Sequence, residues 1–310
     1  MDRPFWRGVA VIYSSALGKE AAAEVAKAVE ALGAPAHIFQ YRQLEEVWGC
    51  YDAYIFVMAM GGVIRALCGR LMGKEVDPPV LVVTHDVKYI VPVLGMHRGA
   101  NKLATRLAQV LDSTPVVSTA AEIAGFAPLE DVERLLLCEL SPVDKLRAYK
   151  ALTSGEEVCI DADVHPPPGY SKGSHCAVVI KRGCVGEFCC RPWRLYVGFG
   201  ATSRATVDDV VAAVMEAMAD LKAQAVEAVA SIKPIVYQVA EALGVRAVYL
   251  KPEELIEGRC LSPPSQLAEI RVGVGNVAER AALTAAGPGG ELIYRKRAFF
   301  KKVTVAVARV

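Results

Sequence analysis

The chain has 310 residues, of which 53% are hydrophobic, and its mean hydropathy is +0.30. This length is comfortable for two domains, and the apolar composition suits parallel sheets covered on both faces. The formal net charge of +1 gives no reason to expect a nucleic acid or an anionic membrane as partner. The apolar runs are shorter than the roughly 20 residues of a membrane-spanning helix, and no signal peptide is recognised, so we expect a cytoplasmic protein.

The first 125 residues alternate between apolar strands and amphipathic helices, which predicts an N-terminal α/β domain with a doubly wound, mostly parallel sheet. Pro92 interrupts one strand, and that strand is therefore expected at an edge or at a bulge. The predicted strands include 9–13, 53–58, 80–84, 89–94 and 116–119, and helices are predicted after the first, second and fourth of them.

Residues 126–193 differ in character, because two helical stretches precede a segment rich in proline, glycine and cysteine. This composition predicts a middle linker or a small irregular subdomain. Strand and helix patterns alternate again over 194–310, where Thr206 is predicted to cap a helix. Further predictions here are a short helix at 264–270 and a strand and turn at 271–276. The predicted fold class is therefore α/β, with two doubly wound, mostly parallel units joined by a small irregular middle region.

The nine cysteines include no Cys-x-x-Cys pair. An odd number of cysteines in a chain without an export signal predicts the buried thiols of a cytosolic protein. A disulfide between Cys184 and Cys189 stays open as an alternative, should the protein come from a thermophile. No histidines and cysteines have the spacing of a metal site.

Two glycine-rich turns of the N-terminal domain carry candidate binding residues. Gly61 and Gly62 open a helix whose free N–H groups can hold an anion, with Arg65 one turn later and Lys74 beyond the helix. A tight turn with solvated charges is the alternative for this segment.

The second turn reads LGMHRGAN and places a histidine, an arginine and an asparagine between glycines. His97 can act as a general acid or base, Arg98 can bind a carboxylate in bidentate fashion, and Asn101 can bind a ligand or cap the next helix. Both turns are expected at the carboxyl ends of parallel strands, where ligands bind in α/β sheets. A histidine that only stabilises its own loop is the alternative.

Two further glycine turns, VGFGATSRAT and VGVGNVAERAAL, imitate dinucleotide-binding fingerprints. Both are weak, because Ser203 replaces a glycine in the first and the second lacks an acidic residue at the end of a following strand. Glu279, in the second, is predicted either to cap or bind or to be a solvated helix residue. The basic segment 294–302 could contact RNA, but a polycarboxylate ligand would use the same charges and is favoured.

Taken together, these segments resemble the CbiG family of the anaerobic cobalamin pathway, the cobalt-precorrin-5A hydrolases. The resemblance rests on GGVIRALCGRLMGKEVDPPVLVV, IVPVLGMHRGANKLATRLAQVL and VVSTAAEIAG in the N-terminal half, and on VGFGATSRAT, ASIK, VGVGNVAERAAL and TVAVAR in the C-terminal half. It covers nearly the whole chain, with the middle third weakest. One departure is Ala201, which takes the place of the cysteine in the family's G-x-G-C-R turn. The arginine of that turn is also displaced along the sequence, to Arg204.

The resemblance implies that water opens the δ-lactone of cobalt-precorrin-5A and that acetaldehyde leaves, giving cobalt-precorrin-5B. It makes His97 the expected base and Asn101, with glycine-turn N–H groups, the expected oxyanion donor. A cleft between the two α/β units is the expected place for so large a substrate. The residues expected to bind substrate are Gly61, Gly62, Arg65, Lys74, Gly95, Arg98, Gly198, Gly200, Ser265, Gly273, Gly275, Asn276, Glu279 and Lys296.

Cobalt is carried by the substrate, so no protein-bound metal or other cofactor is expected. The expected partners are the cobalt-corrinoid substrate and neighbouring methyltransferases of the pathway, with no nucleic acid and no membrane. A corrinoid carrier without catalysis is the alternative function, and a nucleotide- or RNA-binding protein is a more distant third.

Overall fold

The computed structural model describes residues 5–73, 76–117, 126–258, 260–264, 269–270 and 273–310. No helix in this part of the chain is long and apolar enough to cross a membrane. The helices are α1 (Ala16–Ala31), α2 (Leu44–Val47), α3 (Met60–Leu67), α4 (Ala100–Leu111), α5 (Leu129–Leu136), α6 (Pro142–Thr153), α7 (Val207–Leu221), α8 (Val236–Leu243) and α9 (Val277–Ala286).

The strands belong to three sheets. In chain order they are β1 (Val9–Tyr13), β2 (Ala36–Gln40), β3 (Ala53–Val57), β4 (Val80–Val83), β5 (Tyr89–Leu94), β6 (Thr114–Pro115), β7 (Cys138–Glu139), β8 (Val158–Asp161), β9 (Ser171–Lys172), β10 (Val178–Arg182), β11 (Cys189–Pro192), β12 (Leu195–Ala201), β13 (Ala228–Ser231), β14 (Arg246–Tyr249), β15 (Glu291–Phe299) and β16 (Val303–Arg309).

The first sheet has the strand order β2-β1-β3-β4-β5-β6. Strands β1 and β2 are parallel, as are β5 and β6, but β4 and β5 form an antiparallel hairpin. The register of that hairpin shifts next to Pro92, which confirms the predicted bulge. The last strand is Thr114–Pro115 rather than the predicted 116–119, of which Ser118 and Thr119 lie outside the described residues.

Helix α1 shows how local sequence fixes an element of this sheet. The Ser15 hydroxyl accepts a hydrogen bond from the Gly18 N–H and caps the helix. Val25 and Val29 are fully buried on its inner face, and Gly33 follows the last turn with a φ of 84°. An apolar stripe between a hydroxyl cap and a left-handed glycine thus fixes the position of this helix.

The middle of the chain is more regular than its composition indicates, and the expectation of an irregular subdomain is wrong in this respect. A five-stranded sheet has the order β7-β11-β10-β8-β9, and only β7 runs antiparallel to its neighbour. Helices α5 and α6 contribute Leu129, Val132 and Ala148 to a buried core with residues of this sheet. The strands are only two to five residues long, which is why the sequence pattern conceals them.

The C-terminal sheet has the order β14-β13-β12-β16-β15. Strands β12, β13 and β14 are parallel, whereas β16 runs antiparallel to both β12 and β15. Thr206 caps α7 through a capping box with Asp209, as predicted. Of the predicted helix at 264–270, four residues lie outside the described residues, as do the first two residues of the predicted strand at 271–276.

The described residues divide into two compact units. One unit comprises residues 55–193, and the other comprises residues 5–54 together with 194–310. In the second unit, α9 packs its alanines against β12, β13 and β16, and Ala278, Ala281 and Ala282 are fully or almost fully buried. The small side chains of α9 allow this close contact of a helix with a sheet.

The prediction of buried thiols is wrong, because eight of the nine cysteines form disulfides. The pairs are Cys50–Cys260, Cys138–Cys190, Cys159–Cys176 and Cys184–Cys189, the last of which was the open alternative. The remaining cysteine, Cys68, is exposed. Each bridge joins two cysteines of the same unit.

Candidate functional site

The loop after β5 is shaped by two glycines in left-handed conformations. Gly95 has a φ of 68° and Gly99 a φ of 95°, and the single turn that contains His97 lies between them. A Cβ on Gly95 would lie 2.7 Å from the Cα of Pro79, so no larger residue fits there. This loop follows the carboxyl end of β5, which is parallel to β6. Because β5 is antiparallel to β4, the loop also lies beside the start of β4.

The Arg98 side chain fastens this loop to the segment that precedes β4. Arg98 Nη1 donates a hydrogen bond of 2.7 Å to the carbonyl oxygen of Val76. The buried carboxylate of Asp77 accepts from the N–H groups of Met72 and Gly73 at 2.9 and 3.2 Å. The structure therefore gives Arg98 a backbone partner, and the side chain connects the loop to the segment that precedes β4.

The two predicted catalytic residues, His97 and Asn101, lie on either side of the point where α4 begins. Asn101 is buried in the first turn of that helix, and its carbonyl oxygen accepts from the hydroxyl of Thr105. The backbone of His97 lies in the preceding turn, but its side chain is not among the described groups.

Gly61 and Gly62 lie in the first turn of helix α3, so they open a helix as predicted. A Cβ on Gly62 would lie 2.7 Å from the Met58 Cε, whereas Gly61 has room for one. The exposed Arg65 donates to the carbonyl oxygen of Gly61 at 3.2 Å. Lys74 lies outside the described residues. Several large apolar side chains of this helix and the following segment are exposed, namely Met60, Ile64, Leu71, Met72 and Val76.

In the other unit, Glu279 is the centre of a buried polar cluster. It lies on α9 and is fully buried. Its carboxylate accepts from the N–H of Ser262 at 2.7 Å, from the hydroxyl of Ser262 at 2.5 Å, and from the N–H of Lys296 at 3.0 Å. The alternative of a solvated helix residue is therefore wrong, because this side chain connects α9, the 260–264 segment and β15.

Two of the predicted binding residues meet beside Glu279. Asn276 has a φ of 54° at the start of α9, and its Nδ2 donates to the carbonyl oxygen of Ser262 at 2.5 Å. Lys296 Nζ donates to the Asn276 Oδ1 and to the carbonyl oxygen of Pro263. Burial lowers the pKa of Lys296, and the Glu279 carboxylate partly opposes this effect. Lys296, a residue of β15, thus holds the glycine turn before α9.

Arg295 is a buried residue of this polar cluster that the sequence patterns do not predict. Its side chain is 1% exposed, and its nitrogens donate to the backbone carbonyl oxygens of Arg7, Cys50 and Cys260 at 2.7–3.0 Å. The guanidinium also lies 4.0 Å from the centre of the Tyr51 ring. Arg295 therefore holds both backbone segments that the Cys50–Cys260 disulfide joins.

His37 and Tyr51 lie beside these cationic side chains. The Nδ1 of His37 is 2.9 Å from the Tyr51 hydroxyl. Burial, together with the charges of Arg295 and Lys296, lowers the pKa of His37 to about 3. Burial also raises the pKa of Tyr51 above its ordinary value. Both groups are therefore neutral over the physiological pH range.

Two predicted binding glycines serve to pack a helix and a strand. A Cβ on Gly198 would lie 2.0 Å from the carbonyl oxygen of Ala278, and a Cβ on Gly200 would lie 2.8 Å from the Thr304 hydroxyl oxygen. Gly275 faces Pro264 and Glu269, whereas Gly273 needs its left-handed φ of 74°. Ser265, the remaining predicted residue, lies outside the described residues.

A pocket of about 530 Å³ opens where the turn after β12 meets the tip of the β15–β16 hairpin. We call it the hairpin pocket, and its lining residues are Thr202, Ser203, Arg204, Phe300, Lys301 and Lys302. It joins the glycine turn VGFGATSRAT to the basic segment 294–302.

Metal-ligand side chains come together at one place in the described ranges. Ligand atoms of Glu157, Cys159 and Cys176 lie within 4.8 Å of one another. The two cysteines form a disulfide, which removes both thiolates. This group therefore gives no support for a metal centre.

Comparison with known families decides the relationship of the chain. The family model described as "Cobalamin synthesis G N-terminal" matches residues 42–122, and the model described as "Cobalamin synthesis G C-terminus" matches residues 195–308. The chain belongs to the CbiG family. The resemblance predicted from the motifs is confirmed. The first CbiG region contains both glycine turns of the 55–193 unit, and the second contains Glu279, Lys296 and the hairpin pocket.

Individual relatives support the same assignment. A cobalt-precorrin-5A hydrolase of Priestia megaterium is 24% identical over 307 aligned positions, which cover 86% of this chain and 81% of the relative. A cobalt-precorrin-5A hydrolase of Salmonella typhimurium is 32% identical over 92 residues, which cover 29% of this chain and 26% of the relative. The crystal structure of a cobalamin biosynthesis protein G homologue from Sulfolobus solfataricus superposes with a TM-score of 0.85 at 27% identity, over 99% of this chain and 98% of that one. The predicted α/β fold class is thereby confirmed.

Proposed function

We propose that this CbiG protein is a cobalt-precorrin-5A hydrolase, which opens the δ-lactone of its macrocyclic substrate and releases acetaldehyde. The observation that carries the proposal is the alignment of a hydrolase of that name over 86% of the chain. Both CbiG regions are present, and the fold matches a CbiG homologue over almost its full length.

The overall reaction consumes one water molecule. Water adds to the lactone carbonyl, the ring ester bond breaks, and a carboxylate and a hydroxyl form. The hydroxyl then loses its proton, the adjacent carbon–carbon bond breaks, and its electrons stay with the macrocycle, which takes up a proton. The two-carbon fragment leaves as acetaldehyde. These steps need a base for the water and hydrogen-bond donors for the oxyanion.

His97 is the proposed base, and Asn101 with nearby N–H groups provides the proposed oxyanion donors. Support comes from the backbone around them, because Gly95 and Gly99 hold the turn in a defined conformation and Arg98 fastens it to Val76. A catalytic group on a fixed turn loses little conformational freedom when the substrate binds.

The exposed surface of α3 suits a large, flat macrocycle. Met60 and Ile64 are one helical turn apart and are 41% and 52% exposed, and Met72 beyond the helix is 77% exposed. Exposed apolar side chains that are close in sequence often mark a binding surface. Arg65, on the same helix, is the proposed partner of a peripheral carboxylate of the substrate.

Cobalt enters and leaves with the substrate, and no protein-bound cofactor takes part. Neighbouring methyltransferases of the pathway are the proposed protein partners. The proposed compartment is the cytoplasm, where four disulfides are in keeping with a hyperthermophilic source, since intracellular proteins of such organisms are often rich in disulfides.

The direct test is to incubate the purified protein with cobalt-precorrin-5A and to measure acetaldehyde with alcohol dehydrogenase and NADH. We expect acetaldehyde to form only in the presence of the enzyme. Binding of the substrate without acetaldehyde would support a corrinoid carrier instead, and the absence of binding would contradict the proposed function.

The H97A variant tests the proposed base. We expect kcat to fall at least about 100-fold, the usual minimum contribution of a general base. The matched control is H175A, which removes an exposed histidine of the same unit and is expected to keep wild-type turnover. Wild-type turnover in a folded H97A protein would remove His97 from the mechanism.

A further inference from the structure

The hairpin pocket is lined on two sides by cationic side chains. Arg204 extends from the turn after β12, whereas Lys301 and Lys302 extend from the tip of the β15–β16 hairpin. The N–H of Thr202 donates to the carbonyl oxygen of Lys302 at 2.9 Å and holds the two turns together. With a volume of about 530 Å³, the pocket can take a side chain of a large ligand rather than the whole ligand.

The three cationic side chains differ in whether a carboxylate of the protein already neutralises them. Lys302 Nζ forms a salt bridge of 2.8 Å with the carboxylate of Asp209, and this contact also lowers the pKa of Asp209 to about 2. Within the described part of the chain, neither Arg204 nor Lys301 forms a salt bridge. The pocket therefore keeps two positive charges that an anionic group can neutralise.

The hairpin tip holds an unusual conformation that contributes to this surface. Phe300 and Lys301 have φ values of 52° and 55°, in the left-handed region that glycine and asparagine normally occupy in such turns. The Phe300 side chain is 50% exposed in spite of its size. The tip thus presents an apolar ring and a cation side by side.

We propose that the hairpin pocket binds a peripheral carboxylate of the corrinoid, with Arg204 and Lys301 as charge partners and Phe300 against the adjoining apolar part of the ligand. The identity of the ligand rests on the proposed function, since the macrocycle is an apolar ring system that carries carboxylate side chains. A guanidinium suits this role because its planar fork can bind both oxygens of a carboxylate.

The test measures binding of two stable probes to the full-length protein. Dicyanocobyrinic acid carries free peripheral carboxylates, and dicyanocobinamide carries neutral amides around the same ring system. We expect the acid to bind more tightly to the wild type, and we expect the R204Q/K301Q variant to bind the acid about tenfold more weakly. This size is usual for the loss of two exposed ion pairs. Binding of the amide is expected to change less than twofold.

The matched control is R246Q, which removes an exposed arginine at the opposite end of the same sheet. We expect it to bind both probes as the wild type does. Equal affinity of the wild type and R204Q/K301Q for the acid would overturn the proposal, as would an equal loss in R246Q or the absence of any acid binding to the wild type.

This experiment separates the pocket from the proposed reaction. If the wild type releases no acetaldehyde but the double variant still loses affinity for the acid, the hydrolase function fails and the carboxylate site stands. If the wild type releases acetaldehyde but R204Q/K301Q binds the acid as tightly as the wild type does, the hydrolase function stands and the carboxylate site fails.

Discussion

Glu279 places a carboxylate in the core of a unit that also buries Arg295, with the half-buried Lys296 beside them. Three donors, the N–H and hydroxyl of Ser262 and the N–H of Lys296, satisfy its two oxygens. A buried charge of this kind adds little net stability, but its removal leaves the surrounding donors and cations uncompensated. The residue therefore matters most for connecting α9 with the 260–264 segment and with β15.

The E279Q variant tests this role. We expect a loss of about 3 kcal/mol in the free energy of unfolding, because the amide puts a donor against existing donors and removes the negative charge. Urea unfolding measures the change. E241Q, an exposed position on α8, is the control and is expected to stay within about 0.5 kcal/mol of the wild type. A similar small change in E279Q would contradict the assigned role.

His37 makes the fold less stable as the pH becomes acidic. Its pKa is about 3 in the folded chain and 6.5 without perturbation. The unfolded chain therefore binds the proton more readily, and stability falls as the pH falls from about 6.5 toward 3. Above this window the group contributes no pH dependence.

The comparison of wild type with H37Q isolates this contribution. Between pH 7 and pH 4.5 the wild type is expected to lose about 2 to 3 kcal/mol more than H37Q, whose amide stays neutral. Urea unfolding at the two pH values gives the difference. Parallel pH profiles of the two proteins would show that His37 is protonated in the folded state at pH 4.5.

At the scale of elements, the packing of α9 on β12 depends on Gly198. A Cβ at position 198 would lie 2.0 Å from the carbonyl oxygen of Ala278. This oxygen belongs to the backbone and cannot rotate away as a side chain could. We expect G198A to lose about 3 kcal/mol or more of stability, measured by urea unfolding. In G173A the new Cβ would meet the Cys159 Sγ at 3.5 Å, an ordinary contact, and the loss is expected to stay below about 1 kcal/mol. Equal losses would show that α9 adjusts freely.

The elements that the sequence predicts well are those with long apolar patterns. Strand β1 and helix α1 are at their expected places because burial, capping and the terminal glycine agree. The short strands of the middle sheet carry too few residues to show a period, and their core depends on long-range contacts and two disulfides. The direction of β5 also depends on the tight turn before it, which the alternating pattern does not reveal.

The site is predictable from sequence only in part. Glycine turns and their polar neighbours drew attention to Asn276, Glu279 and Lys296, which the structure brings together. The same reasoning assigned Gly198 to ligand binding, although a helix occupies the space beside it. The burial of Arg295 is not predictable from sequence, because a cation in a basic segment is usually solvated and only the tertiary structure supplies its buried carbonyl partners.

At the scale of the whole molecule, the four disulfides constrain the unfolded chain to different degrees. Cys50 and Cys260 are 210 residues apart in sequence, whereas Cys184 and Cys189 are five apart. In the chain-entropy view, the longer loop stabilises the fold by about 5 kcal/mol and the short one by about 2 kcal/mol. The paired cysteines also leave Cys68 as the single thiol to react with a thiol reagent in denaturant without reductant.

The variants C50A/C260A and C184A/C189A test this ranking. We expect the first to lose more stability than the second by about 3 kcal/mol, because the entropy released to the unfolded chain grows with loop length. Arg295 still holds the carbonyl groups of residues 50 and 260 in the first variant, so the native fold is expected to persist. Urea unfolding without reductant measures both losses, and titration of one thiol per wild-type chain checks that the bridges are formed. Equal losses would show that the longer bridge acts on the folded state rather than on the unfolded chain.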